Sequence, residues 1–177
     1  ARVPRRAARI GGRLLRVPPG AALMRRRHGD SPASRVPVAA LQGALAAEHA
    51  AVWVYGLVGA FVPGTLNSRL NEAATAHQAR RDATERILID AGAQPVPPEP
   101  GYLTPEPVTD AASALRLAIT AETDAAAAWR SVVESSPADA DLRGTALEAL
   151  TEAAVRATRW RVTAGVTPLT VPFPGAP

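Results

Sequence analysis

The chain has 177 residues, with 20 Arg, no Lys, 16 acidic residues and no Cys. Lack of cysteine excludes a disulfide framework, a cysteine-ligated zinc or iron–sulfur site and a thiol nucleophile. A 47% hydrophobic content excludes a wholly disordered chain, and only seven aromatic residues argue against an aromatic-rich β-sandwich or a base-stacking surface.

Charge is divided along the chain. Residues 1–35 carry ten Arg against the single acid Asp30, whereas residues 36–177 carry ten Arg against fifteen acids. The high overall pI therefore describes a basic arm on a mildly acidic body. The arm has no sustained apolar period, so it is expected to be disordered or loosely attached. A tether to nucleic acid or an anionic surface is one reading of it. An Arg-rich, acid-poor transit-like targeting segment is a second, and an inert upstream extension is a third, since the only Met is Met24.

Segment one is predicted from Pro37 to Val62, with Leu41, Leu45, Glu48, Val52, Tyr55 and Gly59 on one face. Pro63–Gly64 ends it. Segment two runs from Thr65 to Ala91, with Leu66, Leu70, Ala73, Ala74, His77, Thr84 and Leu88 aligned and Gly92 as its terminator. Residues 93–109 follow, seventeen residues with six Pro. Segment three starts at Thr109 as N-cap and carries Ala111, Leu115, Ala118, Glu122, Ala125, Trp129 and Val132. Segment four runs from Asp139 to Ala164 with Leu142, Ala146, Ala149, Ala153 and Trp160. Residues 166–177, with four Pro, form a strap over the body. With 39 Ala in the chain, the helices are expected to pack closely.

The connections set the topology. Segments one and two share a tight turn, as do three and four, so each pair is antiparallel. An extended Pro-rich stretch rising about 3.1 Å per residue spans roughly 50 Å, enough to travel the length of the bundle. Residues 36–165 are thus expected to form an all-α, ferritin-like four-helix bundle with one long crossover between helices two and three.

Particular residues support the same fold. Ala47–Glu48–His49–Ala50–Ala51 with Tyr55, His77 with Arg81 and Asp82, the Gly92–Pro107 crossover, Arg156–Trp160–Arg161 and the closing Phe173–Pro174–Gly175 resemble an actinobacterial ferritin-like family of unknown function. The resemblance covers about residues 38–177. It implies the fold and no established activity.

A ferritin-like di-iron centre takes one Glu from each of two helices and a Glu-x-x-His from each of the other two. Hard carboxylate oxygens bridge the irons and imidazoles complete them. Glu48 and Glu122 fill two places, but Ala74 precedes His77 where Glu is required, and Val155 follows Glu152 where His is required. The pattern therefore predicts a degenerate site. Glu48, His77, Glu122 and Glu152 each lie midway along their helices, in one layer, and remain the candidate metal ligands for a single iron or manganese ion. The competing expectation, and the favoured one, is no cofactor: a polar core in which Arg80, Arg81 or Arg156 pairs with the carboxylates and His77 donates to one of them. His49 is expected at the surface or at an interface, and the three Trp are read as packing. No Ser–His–Asp set has supporting context and no phosphate-binding Gly-rich loop is present.

Three functions follow. The favoured one is a non-redox ferritin-like bundle that acts as a binding or assembly module and is not an enzyme. A homodimer through an exposed Trp53–Val54–Leu57–Val58 face of helix one is part of that expectation. The second is a metal-binding protein or oxidase using the reduced Glu/His set. The third is nucleic-acid association through the arm. The longest apolar run, Ala50–Val62, is too short to cross a bilayer, and a cytoplasmic location is expected.

Overall fold

In the computed structural model, which describes residues 36–176 and the dipeptide Ala8–Arg9, apolar spacing and its breakers produce four long helices. Helix α1 (Val38–Val58) follows Pro37 and stops short of the expected Val62. Its end tightens, with Ala60 N–H to Leu57 O at 3.1 Å and Phe61 N–H to Val58 O at 3.0 Å, because Pro63 disfavours a helical Val62. A 3₁₀ turn, Gly64–Leu66, leads into α2 (Asn67–Asp90). That helix closes as expected around Gly92, which has φ +73. Its N–H bonds Ile89 O at 2.8 Å while Ala93 N–H reaches Leu88 O at 2.9 Å, satisfying two terminal carbonyls.

The start of α3 (Ala111–Ser135) lies one residue beyond the expected Thr109 cap. Asp110 accepts from Ser113 N–H at 2.8 Å, and the Ser113 hydroxyl accepts from Asp110 N–H at 3.1 Å. Thr109 cannot make that reciprocal pair, because the residue three beyond it is Ala112, which has no side-chain acceptor. Helix α4 (Ala140–Ala164) is capped by Asp139 and ends at Gly165.

Helix α1 packs on α2 and α3, and α3 packs on α4. Glu48 faces Trp129 and Tyr55 faces Glu122, so α1 and α3 run antiparallel. The α2–α4 side is spanned by side chains, Arg80 to Glu152 and Arg69 to Thr163. The crossover runs along α1. Gln42 Nε2 donates to Gln94 O at 2.7 Å, Val96 N–H donates to Gln42 Oε1 at 2.8 Å, and the Trp53 and Tyr102 rings stand 5.5 Å apart. A two-residue strand β2 (Tyr102–Leu103) within it pairs in parallel with β1 (Ala8–Arg9). The remaining residues of the basic arm lie outside the described residues.

This route of the crossover overturns two expectations. His49 is buried, not at the surface, and Nε2 donates to Val96 O at 3.2 Å. The Trp53–Val54–Leu57–Val58 side is not an open face either: Val54 and Val58 are core residues, while Trp53 and Leu57 are half-buried against that core. Helix one is apolar on two sides because the crossover covers the second. The buried strip also follows Ala44, Ala51 and Val58, leaving Val52 half-buried and Gly59 exposed.

Apolar side chains fill the two ends of the bundle. Leu41, Leu45, Leu88, Val132 and Leu142 form one cluster, and Val54, Val58, Leu70, Leu115 and Trp160 form the other. Each fully buried Leu or Val contributes about 1.5–3 kcal/mol over leaving it in water. Between the clusters lies a layer of buried polar groups.

Among the described residues, no helix is long and apolar enough to cross a membrane.

Candidate functional site: a buried polar layer at mid-bundle

Each helix supplies this layer from its middle turn. Glu48 comes from α1, His77 from α2, Glu122 from α3, and Glu152 with Arg156 from α4. Glu48, His77 and Glu122 are fully buried, so their charges must be met by other side chains. His77 Nδ1 stands 2.6 Å from Glu48 Oε2, and Nε2 stands 3.1 Å from Glu122 Oε1. Ionised carboxylates only accept hydrogen bonds. An imidazole that satisfies both at once carries a proton on each nitrogen.

The surrounding groups reinforce that state. Burial by itself pushes the His77 pKa down, but the hydrogen bonds to Glu122 and Glu48 and the charges of both carboxylates raise it to about 9. Trp129 Nε1 donates to Glu48 Oε1 at 2.6 Å. Glu122 Oε1 also accepts from the Tyr55 hydroxyl at 2.5 Å and from Arg156 Nε at 2.9 Å. Trp160 Nε1 in turn donates to the Tyr55 oxygen at 2.7 Å. Desolvation and the neighbouring Glu122 charge hold the Tyr55 phenol well above its ordinary range, so it stays a donor. Burial works against the Arg156 charge, but Glu122 beside it overcomes this and raises its pKa.

Of the four candidate ligands, the fold brings three into direct contact. Glu152 is half-exposed and joins from the edge, bonding Arg80 and, at 3.5 Å, Arg156 Nη1. Of the three candidate counter-ions, Arg80 and Arg156 face the layer, while Arg81 turns to its neighbour Asp82. Three carboxylates therefore meet two guanidinium groups and one imidazolium. Among the described residues, two buried side-chain atoms have no hydrogen-bond partner, Glu122 Oε2 and Arg80 Nε, the latter standing 4.0 Å from Glu48 Oε1.

Tyr55, Trp129 and Trp160 matter here beyond packing, which the apolar reading of the Trp residues missed. The available signal was chemical: a buried indole N–H needs an acceptor, and Glu48 and Tyr55, which take the two indoles, are the polar groups in the apolar stripe of α1.

This donor set does not fit a di-iron centre. A ligating histidine gives one nitrogen to metal, whereas both nitrogens of His77 are engaged by carboxylates. Ala74 supplies no oxygen. Val155 is 43% exposed, so a ligand at that position points away from the layer. Two guanidinium groups stand against the carboxylates that would carry the metal charge. Among the described residues, no group of three or more His, Asp or Glu has the geometry to hold a metal ion.

The fold recurs in known proteins. A crystal structure of a conserved hypothetical protein, rv2844, from Mycobacterium tuberculosis is similar, with 44% identity and a TM-score of 0.69, over 77% of this chain and 95% of that one. A ferritin-like, diiron-carboxylate protein from Bacillus anthracis str. Ames aligns with a TM-score of 0.63 at 15% identity, over 72% of this chain and 94% of that one. That likeness is one of fold, an all-α ferritin-like bundle. No functionally curated protein matches the sequence. Residues 40–177 match the family described as "Domain of unknown function (DUF4439)", and the chain belongs to that family.

Proposed function

We propose that the protein is a ferritin-like bundle whose central layer is a self-neutralised ion-pair network, and that it serves as a binding module without redox chemistry. The observation that carries this reading is His77, which spans Glu48 and Glu122 with both ring nitrogens. The imidazolium stands between the carboxylates and does the charge balancing that a cation does in a di-iron relative. Arg156 and Arg80 complete the balance from α4 and α2. The layer then contributes specificity of packing and register, the best-attested use of buried ion pairs.

The test is elemental analysis of the purified chain after iron- and manganese-supplemented expression, beside ¹⁵N spectra of the His77 ring. The expected result is metal far below one ion per chain and imidazolium signals that added Fe(II), Mn(II) or Zn(II) leaves in place. Near-stoichiometric metal, lost in His77→Ala and Glu122→Ala, would sink the reading and restore Glu48, His77, Glu122 and Glu152 as ligands.

Nucleic-acid association is a second reading, favoured by one observation, the ten Arg against one acid in residues 1–35. It belongs to the arm and not to the bundle, and it requires binding that weakens steeply with salt and disappears when the arm is removed.

A further inference from the structure

Residues of α3, α4 and the C-terminal strap line one cleft. Its volume is about 470 Å³, within the range of about 300–1,000 Å³ common to small-molecule sites. Its walls are mostly apolar, with Ala126, Ala154, Ala157 and Val171 among them, and Glu122 lies at its inner side. The C-terminal wall is held close by Gly175. A Cβ there would come 2.7 Å from Ala126 O, and its φ is +78.

Glu122 contributes to this cleft with an unfinished valence. Its Oε1 takes three donors, from Tyr55, His77 and Arg156. Its Oε2 is buried and has none. An orphaned buried acceptor costs about 1–3 kcal/mol, and because Glu122 is fully buried, a donor arriving through the cleft must part its inner wall to recover that cost.

The charges around the cleft select the donor. A cationic head would enter beside Arg156, which already bonds Glu122 Oε1, and past Arg159 and Arg161 in the cleft wall. An anionic head would meet the Glu122 carboxylate itself. A neutral group that donates suffers neither repulsion.

We propose that this cleft binds a neutral organic molecule, an apolar body carrying one hydroxyl or amide N–H that donates to Glu122 Oε2. The inference rests on the metal-free reading of the layer, since a bound ion would claim the same oxygen.

Three matched probes test it on the full chain: 4-phenyl-1-butanol, 4-phenylbutyrate and 4-phenylbutylammonium. They share the body and differ in the head. The expected result is saturable shifts of the Ala126, Ala157 and Gly175 amides with the alcohol. The carboxylate, which has no donor, should bind about fivefold more weakly or worse, the worth of one hydrogen bond of about 1 kcal/mol. The ammonium, which donates but meets Arg156, Arg159 and Arg161, should bind no more tightly than the alcohol. Ala154→Phe fills the cleft from a half-buried position, and should abolish the shifts while leaving thermal unfolding unchanged. Shifts that persist in Ala154→Phe, tighter binding of either charged probe, or no saturation with any of them would overturn the proposal. Metal content measured on the same samples separates the two failures. Stoichiometric metal without probe binding defeats the metal-free reading, whereas neither metal nor probe defeats this inference alone.

Discussion

His77 makes the buried layer sensitive to pH, and the sign follows from its two states. In the unfolded chain its pKa lies near 6.5, and in the fold it rises to about 9 against Glu48 and Glu122. The stabilisation is therefore complete below pH 6.5 and is lost as pH rises through 9, a change of about 3 kcal/mol for a shift of this size. Urea unfolding at pH 6 and at pH 9.5 should differ by about that amount. His77→Gln should be less stable at pH 6 and should lose most of the difference. A wild-type stability that holds flat across this window would mean that the imidazole is neutral and bridges only one carboxylate. Residue chemistry was partly legible before the fold was known. Glu48, His77 and Glu122 were found because each interrupts an apolar stripe at mid-helix. Tyr55, Trp129 and Trp160 were passed over because an apolar neighbourhood explains an aromatic residue equally well, and the direction of an indole N–H is decided only by tertiary packing.

At the scale of elements, the breakers were the most readable features, because Pro and Gly act locally: Pro63 behind α1, Gly92 behind α2 and Gly165 behind α4. Apolar faces were read less well. Helix α1 buries two sides, one against its partner helices and one under the crossover, and a single stripe cannot describe that. The C-terminal residues show how one small residue positions a whole element. Gly175 sits over Ala126 and Ala127 of α3 with φ +78, and Ala176 N–H closes a turn onto Phe173 O at 3.0 Å. An alanine at 175 would carry the left-handed penalty of about 1–2 kcal/mol and push its Cβ into a carbonyl. Gly175→Ala should therefore lift the tail, seen as about tenfold or faster amide exchange at Ala176, while the helices keep their far-ultraviolet signal. Unchanged exchange would show that the tail is held by other contacts, and the cleft wall would have to be assigned elsewhere.

For the molecule as a whole, the crossover decides which bundle forms. Two helical hairpins of similar length can pack up-down-up-down when a short turn joins them. Here α2 ends beside the start of α1, as Gln42 to Gln94 and Val96 shows, and α3 begins beyond Tyr102, which stands against Trp53. The chain thus travels back along α1 before α3 begins, and this return brings Glu122 opposite Tyr55 and Trp129 opposite Glu48. Reversing α3 would break both pairings and leave the carboxylates of the layer buried without those donors, a loss on the order of 1.5–3 kcal/mol for each broken hydrogen bond to a charged group. Length and register are accordingly coupled. Replacing residues 95–107 by a four-residue Gly–Ser turn should abolish cooperative unfolding, because α3 can no longer start at the far end of α1. Inserting eight Gly–Ser residues after Glu99 should cost no more than about 1 kcal/mol, since loop entropy grows only slowly with length. Thermal and urea unfolding of the two variants distinguishes the cases. If the shortened chain folds cooperatively with Trp129 and Trp160 still buried, the buried layer does not depend on the crossed topology, and its pairings must survive in an up-down bundle.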